Sequence, residues 1–224
     1  MTSAVLFDID GTLLDSIDLH AKAWQEAFQH FGHEIPFEEL RSQIGKGGDQ
    51  LIPVFLKGKE LEEKQKPLEE FRSSLFKKKY LPLVKPFPAV REMFLKVKEQ
   101  GQQVGLASSG KKDELKVYEE IANIQDLVEV ETSSGDAERS KPHPDIFEAA
   151  LGRLHGDIRK EQVVVVGDSP HDAEGAKRAG LRCVGVLSGG FPESVLKETG
   201  CVAIYADIAD LLRHYDNSPL AKNQ

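Results

Sequence analysis

The chain is short of cysteine, of long apolar runs and of positive charge, and each shortage removes a class of protein. Only two of its 224 residues are cysteine, Cys183 and Cys201. Both fall in strand-like stretches of the C-terminal third, where a free Cys usually behaves as a small buried hydrophobe, so no disulfide and a reducing compartment are expected. No segment approaches the roughly 18 consecutive apolar residues of a membrane span, and the N-terminus lacks a basic region followed by a long apolar one. The expectation is a cytoplasmic protein with no membrane partner. Lys and Arg number 29 against 37 Asp and Glu, a net charge of -8. Binding to a nucleic-acid backbone needs clustered Lys and Arg to replace counterions, so nucleic acid is not the expected partner. Internal repeats and low-complexity segments are also absent.

What remains is the composition of an ordinary globular protein, 40% hydrophobic and 29% charged, long enough for one large domain or for a core with a smaller insertion. Short β-rich apolar runs recur at Val5 to Phe7, Val104 to Ala107, Val128 to Val130, Val163 to Val166, Cys183 to Val186 and Val202 to Tyr205. Between the later ones lie helical patterns at Ala89 to Gln100, Asp113 to Ala122, Asp145 to Leu154, and Ala173 to Ala179 with Gly180 as a stop. Strand and helix alternate, which predicts an α/β protein with a mainly parallel sheet covered on both faces. Four consecutive valines support this, since a strand buried on both faces loses its polar alternation.

The stretch from Ser16 to about Lys85 breaks the rhythm and contains no convincing strand. Ile17, Ala21, Trp24, Phe28 and Phe31 mark one face of a helix ending at Gly32, and further helical patterns cover Phe37 to Ile44, Gln50 to Lys57 and Leu61 to Tyr80. Pro82, Pro86 and Pro88 punctuate the return. The expected organisation is a core of residues 1–15 and 86–224 with an inserted helical cap at 16–85. The tail from Asn217 reads as frayed.

Acids, a hydroxyl and a lysine stand where the predicted strands end, the edge of an open α/β sheet that carries ligand crevices. In "AVLFDIDGTLLDS", Asp8 and Asp10 would share a face if the strand continued, and two like charges so placed repel unless a proton or a cation intervenes. Mg²⁺, a hard cation that takes oxygen ligands, is a natural solution. Gly11 and Thr12 follow in a tight turn whose backbone N–H groups could face an anion. "VGLASSG" puts Ser108, Ser109 and Gly110 before a helix as donors for a phosphate. "SKPHPDIF" holds Lys141 in a proline-stiffened loop, and "VVVVGDSPHD" supplies Asp168 and Asp172 at a spacing of i, i+4. Each motif alone has a plainer explanation, as a turn, a helix cap or a solvated lysine. Those explanations do not account for all four recurring at strand ends.

The ordered set "DIDGTLLDS", "LASSG", "KPHPDIF" and "GDSPHD" resembles the four signature loops of the haloacid dehalogenase superfamily, with a helical cap inserted after the first. The resemblance spans nearly the whole chain and implies a Rossmann-like core with its site at the cap interface. It also implies a Mg²⁺-dependent phosphatase in which Asp8 is the nucleophile and Asp10 the general acid/base. Ser108 would be a ligand of the transferring phosphoryl group and Lys141 its charge partner. Asp168 would bind Mg²⁺ with Asp8 and the backbone carbonyl of Asp10, while Asp172 orients the metal shell. The glycine-rich "QIGKGGDQ" resembles the specificity loop of phosphoglycolate-phosphatase-like and β-phosphoglucomutase-like caps, so Lys46 would face a substrate carboxylate or sugar hydroxyl. The implied partner is a small phosphorylated metabolite, phosphoglycolate or a sugar phosphate, and the protein a monomer or homodimer.

A dehalogenase would need neither Asp10 nor the metal acids. A sugar phosphomutase is the nearer alternative; such mutases typically carry an adjacent Glu-Asp pair, whereas Asp168 and Asp172 are separated by Ser169, Pro170 and His171. A phospho-accepting module without turnover would need no acid/base and no enclosing cap. His20 begins near the hinge as a possible pocket residue, and Trp24 reads as packing.

Overall fold

Four buried apolar residues make the first strand, β1 (Ala4–Phe7), which a computed structural model of residues 1–222 places inside a six-stranded sheet. The remaining elements follow as β2 (Leu14–Asp15), α1 (Ile17–His30), α2 (Phe37–Arg41), α3 (Gly48–Phe55), α4 (Gly58–Leu75), β3 (Lys85–Pro86), α5 (Val90–Glu99), β4 (Gln103–Ala107) and α6 (Lys112–Ala122). The second half continues with β5 (Val130–Thr132), α7 (Asp145–Leu151), β6 (Val163–Gly167), α8 (Pro170–Ala179), β7 (Arg182–Val186), α9 (Glu193–Thr199), β8 (Ala203–Tyr205) and α10 (Ile208–Arg213). The large sheet runs β5-β4-β1-β6-β7-β8 and every pairing in it is parallel.

Alternation along the strands builds two cores. Val5, Phe7, Val104, Leu106, Val164, Val166, Val184 and Val186 belong to one hydrophobic cluster, while Ala4, Leu6, Val163, Val165 and Cys183 belong to another. Side chains of period two thus fill opposite faces, and the valine run is buried on both. A third cluster belongs to the inserted helices, where Ile17, Ala21, Trp24 and Phe28 meet Leu40, Leu51, Ile52 and Leu68. The expected stripe of α1 is therefore the buried one, with Phe31 packed at its edge.

Several boundaries differ from expectation for identifiable reasons. The chain crosses between the helical insertion and the sheet on a two-stranded antiparallel pair, Leu14 with Pro86 and Asp15 with Lys85, too short to carry alternation. The strand expected from Val128 is β5, starting at Val130, because its register is set by Gly105 pairing with Val130. Helix α2 stops at Arg41, α7 stops at Leu151, and α4 passes at Phe76 into a wider helical turn that runs through Tyr80. Helix α8 starts three residues before Ala173, at Pro170, since Ser169 caps it. Cys201 precedes β8 instead of lying in it. The tail is not frayed as far as Lys222: Ser218 and Leu220 are buried, Gln102 Nε2 donates to Leu220 O at 2.7 Å, and Thr2 Oγ1 donates to Pro219 O at 2.9 Å. Residues 223 and 224 of the expected core segment lie outside the described residues. Among the described residues no helix is long and apolar enough to cross a membrane.

Candidate active site

The loops after β1, β4 and β6 meet at one end of the sheet, and Lys141, before α7, reaches the same point. Asp8 follows β1 directly, its N–H donating to Val166 O at 2.9 Å, and its carboxylate is buried. Lys141 is fully buried; Nζ donates to Asp8 Oδ1 at 2.5 Å and to Ala107 O at 2.7 Å. It also lies 2.8 Å from Asp172 Oδ1, an ion pair without an aligned hydrogen bond. One oxygen each from Asp8, Asp168 and Asp172 falls within 4.8 Å of the others. Two acids four residues apart do converge, although the cap of α8 is Ser169, not Asp168. Asp172 completes that cap, its Oδ2 accepting from Ser169 Oγ at 2.5 Å and from Ser169 N at 3.2 Å. One residue thus serves both the helix start and the acid cluster.

Asp168 is held by shape. Thr12 Oγ1 donates to its Oδ1 at 3.1 Å, and glycines stand against the other oxygen. A Cβ on Gly189 would lie 1.7 Å from Asp168 Oδ2 and one on Gly11 2.4 Å away, so neither position can carry a side chain. Gly11 also has φ of 82°, where a Cβ is strained. The N–H groups of Gly11 and Thr12 donate within the turn, to Leu14 O at 2.8 Å and Ile9 O at 3.2 Å. They do not present the anion-facing donors expected of them, because the short turn consumes them.

The strand ends at Phe7, so strand alternation does not place Asp8 and Asp10, although both line one cavity. Asp10 is not part of the acid cluster; its Oδ1 accepts from Ser16 Oγ at 2.6 Å and lies 2.8 Å from His20 Nε2. The Arg72 guanidinium contacts His20 Nδ1. Arginine can only donate, so Nδ1 must accept and Nε2 carries the proton given to Asp10. His20 stacks on Phe76 with centroids 4.0 Å apart, which fixes its plane. Arg72 itself sits 5.0 Å from the centroids of both Trp24 and Phe76.

The electrostatics divide the two aspartates. Burial, then repulsion by Asp172, pushes the Asp8 carboxyl up to about 7 against the pull of Lys141. Burial, then repulsion by Asp172 and by Asp8, pushes Asp168 well up. Burial also acts on Asp10, but His20, Ser16 and Arg72 outweigh it and hold its carboxyl below the usual range. Burial would lower Lys141, yet Asp172 and Asp8 raise it, so it stays charged.

An open cavity adjoins Asp8 and Asp10. Of the predicted contacts, Ser109, Gly110 and Lys46 line it. Ser108 is buried beside them, its Oγ accepting from Gly110 N at 3.0 Å. Ser109 Oγ donates to Gly45 O at 3.3 Å, and Lys46 Nζ to Gln43 Oε1 at 2.6 Å. Asp49 Oδ2 accepts from Ser140 N at 3.0 Å, and a Cβ on Gly47 would strike Ser140 Oγ at 2.1 Å. The glycine-rich loop is thus bare because it lies flush on the loop that carries Lys141. Arg72, Glu69 and Glu114 also line the cavity and are not singled out by the sequence. Nothing separates Glu69 and Arg72 from the other charges of α4, while Glu114 lies within one helical turn of Lys111 at the start of α6 and could have been traced from Gly110.

A family model described as haloacid dehalogenase-like hydrolase matches residues 5–186. A phosphorylated carbohydrates phosphatase of Thermotoga maritima is 28% identical over 90% of this chain and 93% of its own length. Pyrophosphatase PpaX of Bacillus mycoides is 26% identical over 82% and 83%. The crystal structure of a hydrolase from Pseudomonas syringae superposes with a TM-score of 0.86 at 25% identity, covering 96% of this chain and 99% of that one. The match runs from β1 to the last residue of β7 and takes in every loop that brings an acid or Lys141 to the sheet's edge: the chain belongs to the haloacid dehalogenase-like hydrolases.

Proposed function

We propose that the protein is a Mg²⁺-dependent phosphatase that hydrolyses a small phosphorylated metabolite through an aspartyl phosphate on Asp8, beneath a cap formed by residues 16–85. The carrying observation is the position of Asp8, which touches Lys141, shares a cluster with Asp168 and Asp172, and lines a cavity together with Asp10. The relatives named as a phosphorylated carbohydrates phosphatase and a pyrophosphatase support this reading.

The residues present suit magnesium. Three buried carboxylates are hard oxygen donors, and Asp168 Oδ2 has no hydrogen-bond partner among the described residues, an orphan that a cation would satisfy. Asp8, Asp168 and Asp172 would hold the ion, which when bound neutralises carboxylate and phosphoryl charge.

Phosphate monoesters resist attack by a carboxylate because both are anions, so positioning and charge neutralisation dominate. Lys141 neutralises part of that charge and fixes Asp8 Oδ1. Asp8 then forms a bond to phosphorus as the bond to the leaving oxygen breaks. Asp10 gives that oxygen a proton, and afterwards takes one from the water that attacks the aspartyl phosphate, whose bond from phosphorus to Asp8 breaks to release inorganic phosphate and the free carboxylate. With His20 and Ser16 donating to it, Asp10 is an anion suited to the second step. Service as the acid in the first requires those donors to be exchanged when an ester fills the cavity.

The test is phosphate release from a panel of metabolite esters with and without Mg²⁺, with Asp8→Asn as the blank. Mg²⁺-dependent release absent from Asp8→Asn is expected. Conversion of β-glucose 1-phosphate in the presence of a bisphosphate primer, without phosphate release, would replace this reading with a mutase.

A further inference from the structure

Several side chains in the cavity take no part in phosphoryl transfer, and they carry both signs of charge. Glu69 and Arg72 come from α4, Lys111 from just before α6, Glu114 from the first turn of α6, and Lys46, bonded to Gln43, from the glycine-rich loop. The Glu69 carboxyl lies against Gly48, where a Cβ would approach its carboxyl carbon to 3.0 Å. Among the described residues the side chains of Glu69 and Lys111 have no hydrogen-bond or ion-pair partner, although the Lys111 carbonyl accepts from Glu114 N and Leu115 N. Glu114 is only 3% exposed. Its Oε1 accepts from Ser73 Oγ at 3.3 Å, and the nearest cation, Lys77 at 3.9 Å, is bonded to Asp113 at 2.5 Å. Its Oε2 lies toward the phosphate-side loop, 3.7 Å from where a Cβ on Gly110 would stand. Arg72 Nε is buried with no partner.

The cavity therefore presents unfilled acceptors beside unfilled donors. A hydroxyl both donates and accepts, and so can serve Glu69 or Glu114 on one side and Lys111 or Arg72 on the other. A carboxylate or a second phosphate only accepts, and it would be brought close to a buried carboxylate where solvent screens poorly. We propose that the substrate is a monophosphate of a neutral polyhydroxyl compound, a sugar or polyol, and that Glu69 and Glu114 determine this specificity by accepting from its hydroxyls and rejecting leaving groups with their own negative charge. This rests on the phosphatase reading above, and it selects within that reading against phosphoglycolate, pyrophosphate and bisphosphates.

The experiment measures kcat and KM of the Mg²⁺-loaded chain on three groups of probe. Acetyl phosphate reports the chemistry alone, glucose 6-phosphate and ribose 5-phosphate carry neutral polyols, and phosphoglycolate and pyrophosphate carry a second anion. Sugar phosphates should exceed the anionic probes in kcat/KM by about tenfold or more, the worth of one hydrogen bond to a charged group. Glu69→Gln and Glu114→Gln should each raise KM for sugar phosphates and cut the sugar-to-phosphoglycolate ratio of kcat/KM about tenfold. The ratio is read within one preparation, so partial loss of folded Glu114→Gln does not disturb it, and Glu69→Gln, on the cavity wall, provides the second reading. Turnover of acetyl phosphate with phosphoglycolate or pyrophosphate preferred over the sugars, or unchanged ratios in both variants, would overturn the specificity proposal alone. No turnover of any probe would overturn the phosphatase reading and this proposal together.

Discussion

Replacing Lys141 by methionine removes the one cation among the described residues that touches the acid cluster and leaves volume and shape nearly intact. Nζ is within 2.8 Å of both Asp8 and Asp172 and has no exposure to water. Without it three carboxylates face one another in a buried site, and breaking a buried ion pair from one side costs about 3–5 kcal/mol. For a chain of this size that lowers the melting temperature by about 10 °C. The loss should depend on pH. Asp8, raised to about 7 in the folded chain, binds a proton more tightly folded than unfolded. Its contribution to stability is therefore fully present below the ordinary carboxylate range and is lost as pH rises through 7. Removing Lys141 raises the folded-state value further and deepens that fall. Urea and thermal denaturation of wild type and Lys141→Met in EDTA should show a small difference at pH 5 and the full difference at pH 8, with Mg²⁺ restoring part of it at pH 8. Equal losses at both pH values would mean that only packing was disturbed, and no loss at pH 8 would refute the electrostatic account of the site.

Gly189→Ala places a methyl group on Asp168 Oδ2 and should abolish the stabilisation by Mg²⁺ seen in thermal melts, whereas Gly152→Ala, whose Cβ meets nothing closer than 3.6 Å, should change stability by less than about 0.5 kcal/mol. Glu119 is pushed up to about 7 by burial and by its contact with Glu131, so wild type loses stability as pH rises through 7. Glu119→Gln should remove that loss and gain about 2 kcal/mol at pH 8 and little at pH 4 in urea titrations. His20→Leu strips Asp10 of a donor at 2.8 Å, and kcat should fall about 10–100-fold with a much smaller change in KM; His20→Gln, which keeps a donor, should recover part of the loss.

Much of the core was legible because its signals are local. The valines of β6, the apolar stripe of α1 and the Gly180 stop each depend on a few adjacent residues, and all three stand where expected. Asp8, Lys141, Asp168 and Asp172 were legible as strand-end and loop residues of a recurring pattern, and the structure brings them together. The role of Asp10's surroundings was not, because His20 and Arg72 are 52 residues apart and meet only through the packing of α1 against α4. Gly11 and Thr12 misled because a turn of two residues can either expose its N–H groups or use them, and only the backbone path decides. The tail deceived by composition: polar Ser218 and small Ala221 look like a free end, yet Gln102 ties Leu220 to Thr2.

Rapid acid quench of the Mg²⁺-loaded chain during turnover of a sugar phosphate, followed by peptide mass spectrometry, tests the central claim most directly. The account predicts one phosphoryl group on the peptide that carries Asp8, appearing before free phosphate and absent from Asp8→Asn. Steady phosphate release with Asp8 unmodified, or undiminished release by Asp8→Asn, would contradict it.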